Sequence, residues 1–303
     1  MAAYRKEEMQ MQSLDALWND VLSKTRSRGA AAGGAVRRSV LEPVMVEEQR
    51  LRLEERMPGW QTVFCAAFPY YVNLPAPCHA ISRYAWGMDY HLVLAECLAP
   101  AAALLRDAGA RAEILVDASP VPERAAALLA GIGMLGDHGL VIVPPYGSYV
   151  FLGTIVTDAP AQVPDTGSVG RFARCVQCGA CRRACPTGAL NTAKFQVERC
   201  LSHISQKRGL LAGWEEALLR ENDCLWGCDA CQAACPYNRT PRETEIPELR
   251  ENLITTITRE MLAGHTNRTF RQQYGTRAFS WRGPGVLRRN LDSLERAKSP
   301  GRK

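Results

Sequence analysis

Nine of the twelve cysteines in this chain lie between Cys175 and Cys235, and their spacing is that of ligands. Cys175-Val-Gln-Cys178-Gly-Ala-Cys181-Arg-Arg-Ala-Cys185-Pro186 is the bacterial ferredoxin run, in which three cysteines wrap one cubane and the fourth reaches a second cluster. Two-residue spacers let successive thiolates turn around one cube, and the proline ends the local helix. The phrase returns as Cys228-Asp-Ala-Cys231-Gln-Ala-Ala-Cys235-Pro236, without its first cysteine because Leu225 stands there. By spacing, one cluster takes Cys175, Cys178, Cys181 and the distant Cys235, and the other takes Cys185, Cys228 and Cys231. Cys200 and Cys224 compete for the remaining place, and spacing alone does not choose. Structural zinc uses paired Cys-x-x-Cys knuckles, whereas a third cysteine at the same short interval, followed by Cys-Pro, favours cubanes. Two such clusters read as an electron relay.

Other groups that could do chemistry are fewer. Asp117, in Val116-Asp117-Ala-Ser119-Pro120-Val-Pro122-Glu123-Arg124, ends a predicted strand, where sheet proteins place ligands. Ser119 before Pro120 supplies a predicted helix N-cap, which leaves Asp117 free for chemistry or for closing an Asx-type turn. Asp89-Tyr90-His91 opens a long predicted helix, with Asp89 as its cap. It begins like an Asp-x-His-x-x-Gly phrase that ligates cobalamin, but Leu94 breaks the match. Gly131-Ile-Gly133-Met-Leu-Gly136 has dinucleotide-fingerprint spacing but follows a helix and leads into a strand, the reverse of what that site needs. Cys65, Cys78 and Cys97 stand singly and read as apolar thiols.

The elements that must position these groups divide the chain. Helical spacing covers 14–24, 47–57, 88–108 and 122–130, and strand-like runs cover 62–68, 112–116, 140–143 and 149–156, an alternation that favours a sheet layered with helices. The expected division is 1–165 as the catalytic domain, 166–245 as the cluster domain and 246–303 as a basic extension, with 160–170 as linker. The 303 residues are 47% hydrophobic, enough for a real core. Neither a secretory signal nor a membrane span is visible, so a reducing, cytoplasmic location and no membrane partner are expected. Of the net charge of +6, residues 261–303 carry a local +8. That extension is read either as a contact for phosphates or as a solvated tail.

Taken together, these segments resemble the epoxyqueuosine reductase family. The likeness rests on Ile81-Ser-Arg-Tyr-Ala-Trp-Gly-Met-Asp-Tyr-His91, on residues 117–124, on Gly147-Ser-Tyr-Val-Phe-Leu-Gly153, and on the ferredoxin run. It continues through Arg199-Cys-Leu-Ser202 and Gly227-Cys-Asp-Ala-Cys-Gln-Ala-Ala-Cys-Pro-Tyr-Asn238. It implies an α+β protein: a nitroreductase-like α/β cobalamin-binding domain followed by a bacterial ferredoxin-like domain with two 4Fe-4S clusters. The implied reaction converts epoxyqueuosine to queuosine in tRNA, with a small electron donor such as ferredoxin or flavodoxin. The resemblance makes Cys200 the eighth ligand and Asp117 the proton donor facing a base-off cobalt. It places Ser82, Val141 and Leu152 along the corrin, with Ser202 and Gln206 approaching from the cluster side. The chain departs from the family at Asp137-His138, where longer members have Lys-Asn, and only 68 residues follow Cys235. It therefore reads as a short form without the C-terminal helical-repeat domain that helps hold tRNA. Competing readings are a corrinoid reductase of another substrate, like reductive dehalogenases, and an electron-transfer protein.

Overall fold

The computed structural model describes residues 2–117, 119–161, 173–191 and 194–296, with side chains from residue 14 onward. Residues 162–170 of the expected linker lie outside the described residues. The first half contains α1 (Ala2–Ser27), β1 (Ala32–Arg37), α2 (Arg38–Leu41), α3 (Glu47–Arg56), β2 (Thr62–Pro69) and α4 (Tyr90–Asp107). It continues with β3 (Ala112–Leu115), α5 (Glu123–Leu129), β4 (Met134–Leu135), β5 (Val141–Ile142) and β6 (Val150–Thr157). The main sheet has the order β1-β2-β6-β3, and every neighbouring pair is antiparallel.

All eight residues of β2 are buried, and period-2 alternation sends them to two different cores. Phe64, Ala66 and Phe68 pack with Val93, Leu94, Leu98 and Leu105 of α4. On the opposite face, Val63 joins Leu53 and Trp60, while Cys65 and Ala67 join Ala127 and Ile132. A sheet covered on both faces explains why β2 reads as an uninterrupted apolar run. The sequence pattern missed β1, because Ala-Gly-Gly-Ala has little strand preference. Packing calls for those small residues: a Cβ on Gly34 would lie 2.5 Å from the Ala130 carbonyl oxygen.

The second half contains α6 (Ala180–Ala184), α7 (Leu201–Ser205), α8 (Gly213–Glu221), α9 (Ala230–Ala233), α10 (Pro247–Arg250), α11 (Arg259–Leu262), α12 (Asn267–Tyr274) and α13 (Pro284–Arg296). The two cysteine phrases place α6 and α9 side by side. A buried polar clip ties α9 to the sheet. Gln232 Nε2 donates to the Ser148 carbonyl at 2.9 Å, Asn238 Nδ2 donates to Ser148 Oγ at 2.8 Å, and Ser148 N–H donates back to Asn238 Oδ1 at 2.8 Å. The C-terminal end of the cluster segment is thereby held against the first half.

The basic extension is not a solvated tail over its described part. Phe270, Phe279, Leu287 and Leu291 share one core with Ile81, Trp86, Leu225 and Trp226, while Ile246 and Leu249 join the sheet core. Several of its cations are spent on backbone carbonyls: Arg289 donates to Lys207 and Gly209 at 2.7 Å each, and Arg277 donates to Asn252 at 2.8 Å. Charge counting sees these guanidiniums only as positive surface. Here they work as hydrogen-bond donors.

Candidate active site

A cavity of about 440 Å³ opens between the two halves, inside the roughly 300–1,000 Å³ typical of ligand sites. Tyr90, Asp117, Glu123, Val150, Phe151 and Leu152 line it from the sheet side, and Cys185, Cys200, Ser202, Cys228 and Cys231 face them. A second, much smaller hollow is lined by Cys175, Cys178, Cys181 and Cys235 with Asp137 and His138. The thiols thus divide between two hollows. Cys224 lines neither; its buried Sγ–H donates to the Gly227 carbonyl at 2.9 Å.

Burial pushes the Cys228 thiol up to about 11 and Cys231 to about 12, and the neighbouring sulfurs of Cys200 and Cys185 add to both shifts. Four ionised sulfurs in this setting need a cation among them, which ligated iron supplies. The donor set therefore fits a cluster in each hollow.

Asp117 sits just beyond β3 with φ of 56°, a left-handed conformation that aspartate tolerates better than most residues. Its N–H donates to Glu123 Oε1 at 2.7 Å, which fixes the turn. The Tyr90 hydroxyl donates to Asp117 Oδ2 at 2.5 Å, and His91 Nε2 lies 3.5 Å from the same oxygen. His91 Nδ1 is 2.7 Å from Asp89 Oδ1, which also accepts from the His91 N–H and caps α4. His91 therefore bridges two carboxylates. Hydrogen bonding from His91, then Tyr90, holds the Asp117 carboxyl below its usual range against the opposing effect of burial. The same pairing with Asp117, and then Asp89, lifts His91 to about 9. Burial and the Asp117 charge push Glu123 up to about 8. Near neutral pH, Asp117 is a carboxylate ringed by three groups that still carry protons.

Of the residues expected along the corrin, Ser82, Leu152 and Ser202 line the cavity with Asp117, whereas Val141 and Gln206 do not. Val141 is buried in the core beside Cys65. Gln206 spends its amide on the Ser202 carbonyl at 3.1 Å and accepts from Trp281 Nε1 at 3.3 Å. The Ser82 hydroxyl is bound to the carboxylate of Asp229. Ser119 does not cap α5; its Oγ accepts from Val121 N–H at 3.2 Å, and the helix starts at Glu123. Glu123 and Phe151 were not anticipated in the cavity, although the Ser-Pro-Val-Pro-Glu phrase placed an acid one short turn from Asp117.

Two family models match: epoxyqueuosine reductase QueG over residues 50–118, and a 4Fe-4S double cluster binding domain over residues 174–238. The epoxyqueuosine reductase of Synechocystis is 33% identical over 264 residues, spanning 82% of this chain and 88% of the relative. The chain belongs to the epoxyqueuosine reductase family. The Listeria monocytogenes member is 37% identical over 214 residues, 69% of this chain and 55% of the relative, and the Bacillus subtilis member is 35% identical over 217 residues, 69% and 53%. The chain thus spans about half the length of several curated relatives it matches. Among solved structures, an epoxyqueuosine reductase with an epoxyqueuosine-modified tRNA-Tyr stem loop aligns with a TM-score of 0.77 at 26% identity, covering 93% of this chain and 81% of that one. The Bacillus subtilis enzyme with its catalytic aspartate loop swung out of the active site aligns equally well. The α+β architecture with a 4Fe-4S double-cluster domain is that of the family. Among the described residues, no helix is long and apolar enough to cross a membrane.

Proposed function

We propose that this chain reduces epoxyqueuosine to queuosine in tRNA, with electrons entering from a small donor such as ferredoxin or flavodoxin. One observation carries the reading: Asp117, with Tyr90 and Glu123 beside it, and the Cys185, Cys200, Cys228, Cys231 quartet line the same cavity from opposite sides. Electrons and protons can meet only where both are supplied, and here both reach one space. Cys175, Cys178, Cys181 and Cys235 hold the first cluster, and the facing quartet holds the second.

The cavity also fits cobalamin. Leu140, Val150 and Leu152 offer an apolar wall to a macrocycle, and Ser202 offers a hydroxyl from the cluster side. His138, the histidine in the lining, has its Nε2 buried and so would offer no ligand to the bound cofactor. When bound, cobalamin supplies the low-valent metal centre for the two-electron chemistry. The protein's own residues do the rest. The net change takes up two electrons and two protons, breaks both C–O bonds of the epoxide, forms the C=C bond and releases the oxygen as water. Asp117 delivers a proton to that oxygen. Because the carboxyl is ionised at rest, its proton is drawn from His91 through the shared Oδ2, and Glu123 holds the turn in place. Positioned general acids of this kind contribute roughly 10²–10⁴-fold.

The test uses tRNA from a strain lacking its own reductase, incubated anaerobically with the loaded protein and a reductant, then digested and weighed. Wild type should convert epoxyqueuosine to queuosine. Asp117→Asn should slow conversion by about 10²–10⁴-fold while keeping both clusters. Persistence of epoxyqueuosine with the loaded wild type would overturn the function, and equal rates would remove Asp117 from it.

A further inference from the structure

The turn between β4 and β5 carries His138, which the chemistry above does not use. The residue is 7% exposed, and the setting is built around it. A Cβ on Gly136 would lie 2.4 Å from the imidazole Cε1, so the ring rests on backbone that only glycine leaves bare. Leu140 N–H donates to Nδ1 at 3.1 Å. A ring nitrogen that accepts carries no proton, so the proton of this neutral imidazole sits on Nε2. That Nε2 is buried and has no hydrogen-bond partner among the described residues, a costly state for a donor unless something else fills it.

His138 lines both hollows. The small hollow, of about 10 Å³, is the one that Cys175, Cys178, Cys181 and Cys235 also line. The same turn already aims one donor at its sulfurs, because Asp137 N–H donates to Cys175 Sγ at 3.3 Å.

We infer that His138 Nε2–H donates a hydrogen bond to a sulfur of the cluster held by Cys175, Cys178, Cys181 and Cys235, and that this bond raises the cluster's reduction potential. The reduced cluster carries one more negative charge than the oxidised one, so a fixed donor stabilises it more. Hydrogen bonds to sulfur are an established control on cluster potential. The inference rests on the first quartet's assignment above and not on the RNA substrate.

The full chain, reconstituted anaerobically with iron and sulfide and no cobalamin, is titrated by EPR against a dye-mediated potential. His138→Phe should keep the wild-type iron content and make one cluster about tenfold harder to reduce, or about 59 mV lower, with the other unmoved. His138→Gln, which restores an N–H donor, should recover part of the shift. The shift should persist in a Cys200→Ala background, where only the first cluster remains. Full iron with neither potential moved overturns the inference, and so does a shift that Cys200→Ala abolishes. If His138→Phe does not fold, wild type labelled with 15N-histidine still decides. A histidine nitrogen coupling should appear in pulsed EPR of the reduced first cluster, and its absence overturns the hydrogen bond. Failure of the tRNA assay would leave all of these readings standing.

Discussion

Seven of the eight cysteines in the two quartets come from one repeated phrase, yet the quartets sit in different surroundings. Cys175, Cys178, Cys181 and Cys235 close around a hollow of about 10 Å³, walled by His138 and by Asp137, which pairs with Arg182 at 2.6 Å. Cys185, Cys200, Cys228 and Cys231 instead open onto the 440 Å³ cavity that Asp117 also lines. The first surrounds a tight hollow and leaves Cys178 exposed to solvent, and the second faces the cavity in which cofactor and substrate are proposed to bind. The lesson is that near-duplicate phrases are told apart by their surroundings: only the second quartet lines the space that Asp117 also lines.

The largest expected effect tests the membership of the open quartet. Cys200→Ala should lose about half the cluster iron, by the four-thiolate requirement, and Cys224→Ala should keep all of it; anaerobic iron and sulfide assays read both. The reverse result would move the ligand to Cys224 and break the comparison. A smaller effect concerns the proton side of the open cavity. His91 is held above its ordinary 6.5, so its proton, and the pairing it makes with Asp117, is fully present below that value and is lost as pH rises through about 9. Glu123 likewise loses its proton above about 8, and its charge then faces Asp117. Turnover should therefore fall on the alkaline side between about 8 and 9. His91→Gln should slow it by roughly 10²-fold and remove the upper part of that limb. An unchanged pH profile would take His91 out of the proton supply.

The smallest expected effect lies in the packing that backs the open quartet. Asn290, fully buried on α13, donates to the Ser205 and Leu225 carbonyls at 2.7 and 2.8 Å. Asn290→Ala leaves both acceptors unpaired and should cost about 1–3 kcal/mol in urea titrations of the anaerobic holoprotein, without loss of iron. No change would mean that the C-terminal helices do not brace the cluster segment.

The grouping of seven cysteines about two hollows was legible in the sequence because cubane geometry constrains local spacing, and the segment of β2 and α4 was legible because two-sided burial and helical period leave plain patterns. Asp117 stood out from strand-end logic, although the helix cap assumed for Ser119 belongs to no helix. What stayed hidden depends on distant partners. His91 read as a helix-start residue until the fold brought Asp117 to it across 26 positions of sequence. His138 read as a mere departure from Lys-Asn until its ring was found on Gly136 between two hollows. The extension's arginines read as surface charge because no local pattern reveals a guanidinium aimed at another segment's carbonyls. Cys200 and Cys224 could not be separated by spacing, since only the folded path shows which sulfur turns toward the cavity.

The most direct measurement of the central claim is an anaerobic titration of the cluster-loaded chain with cobalamin, followed by absorbance. Saturable uptake with a base-off spectrum, and reduction of the bound cofactor by pre-reduced clusters in wild type but not in Cys200→Ala, is the predicted result. Failure to retain cobalamin, or a histidine-ligated spectrum, would contradict a cavity in which the open quartet and Asp117 serve one reaction.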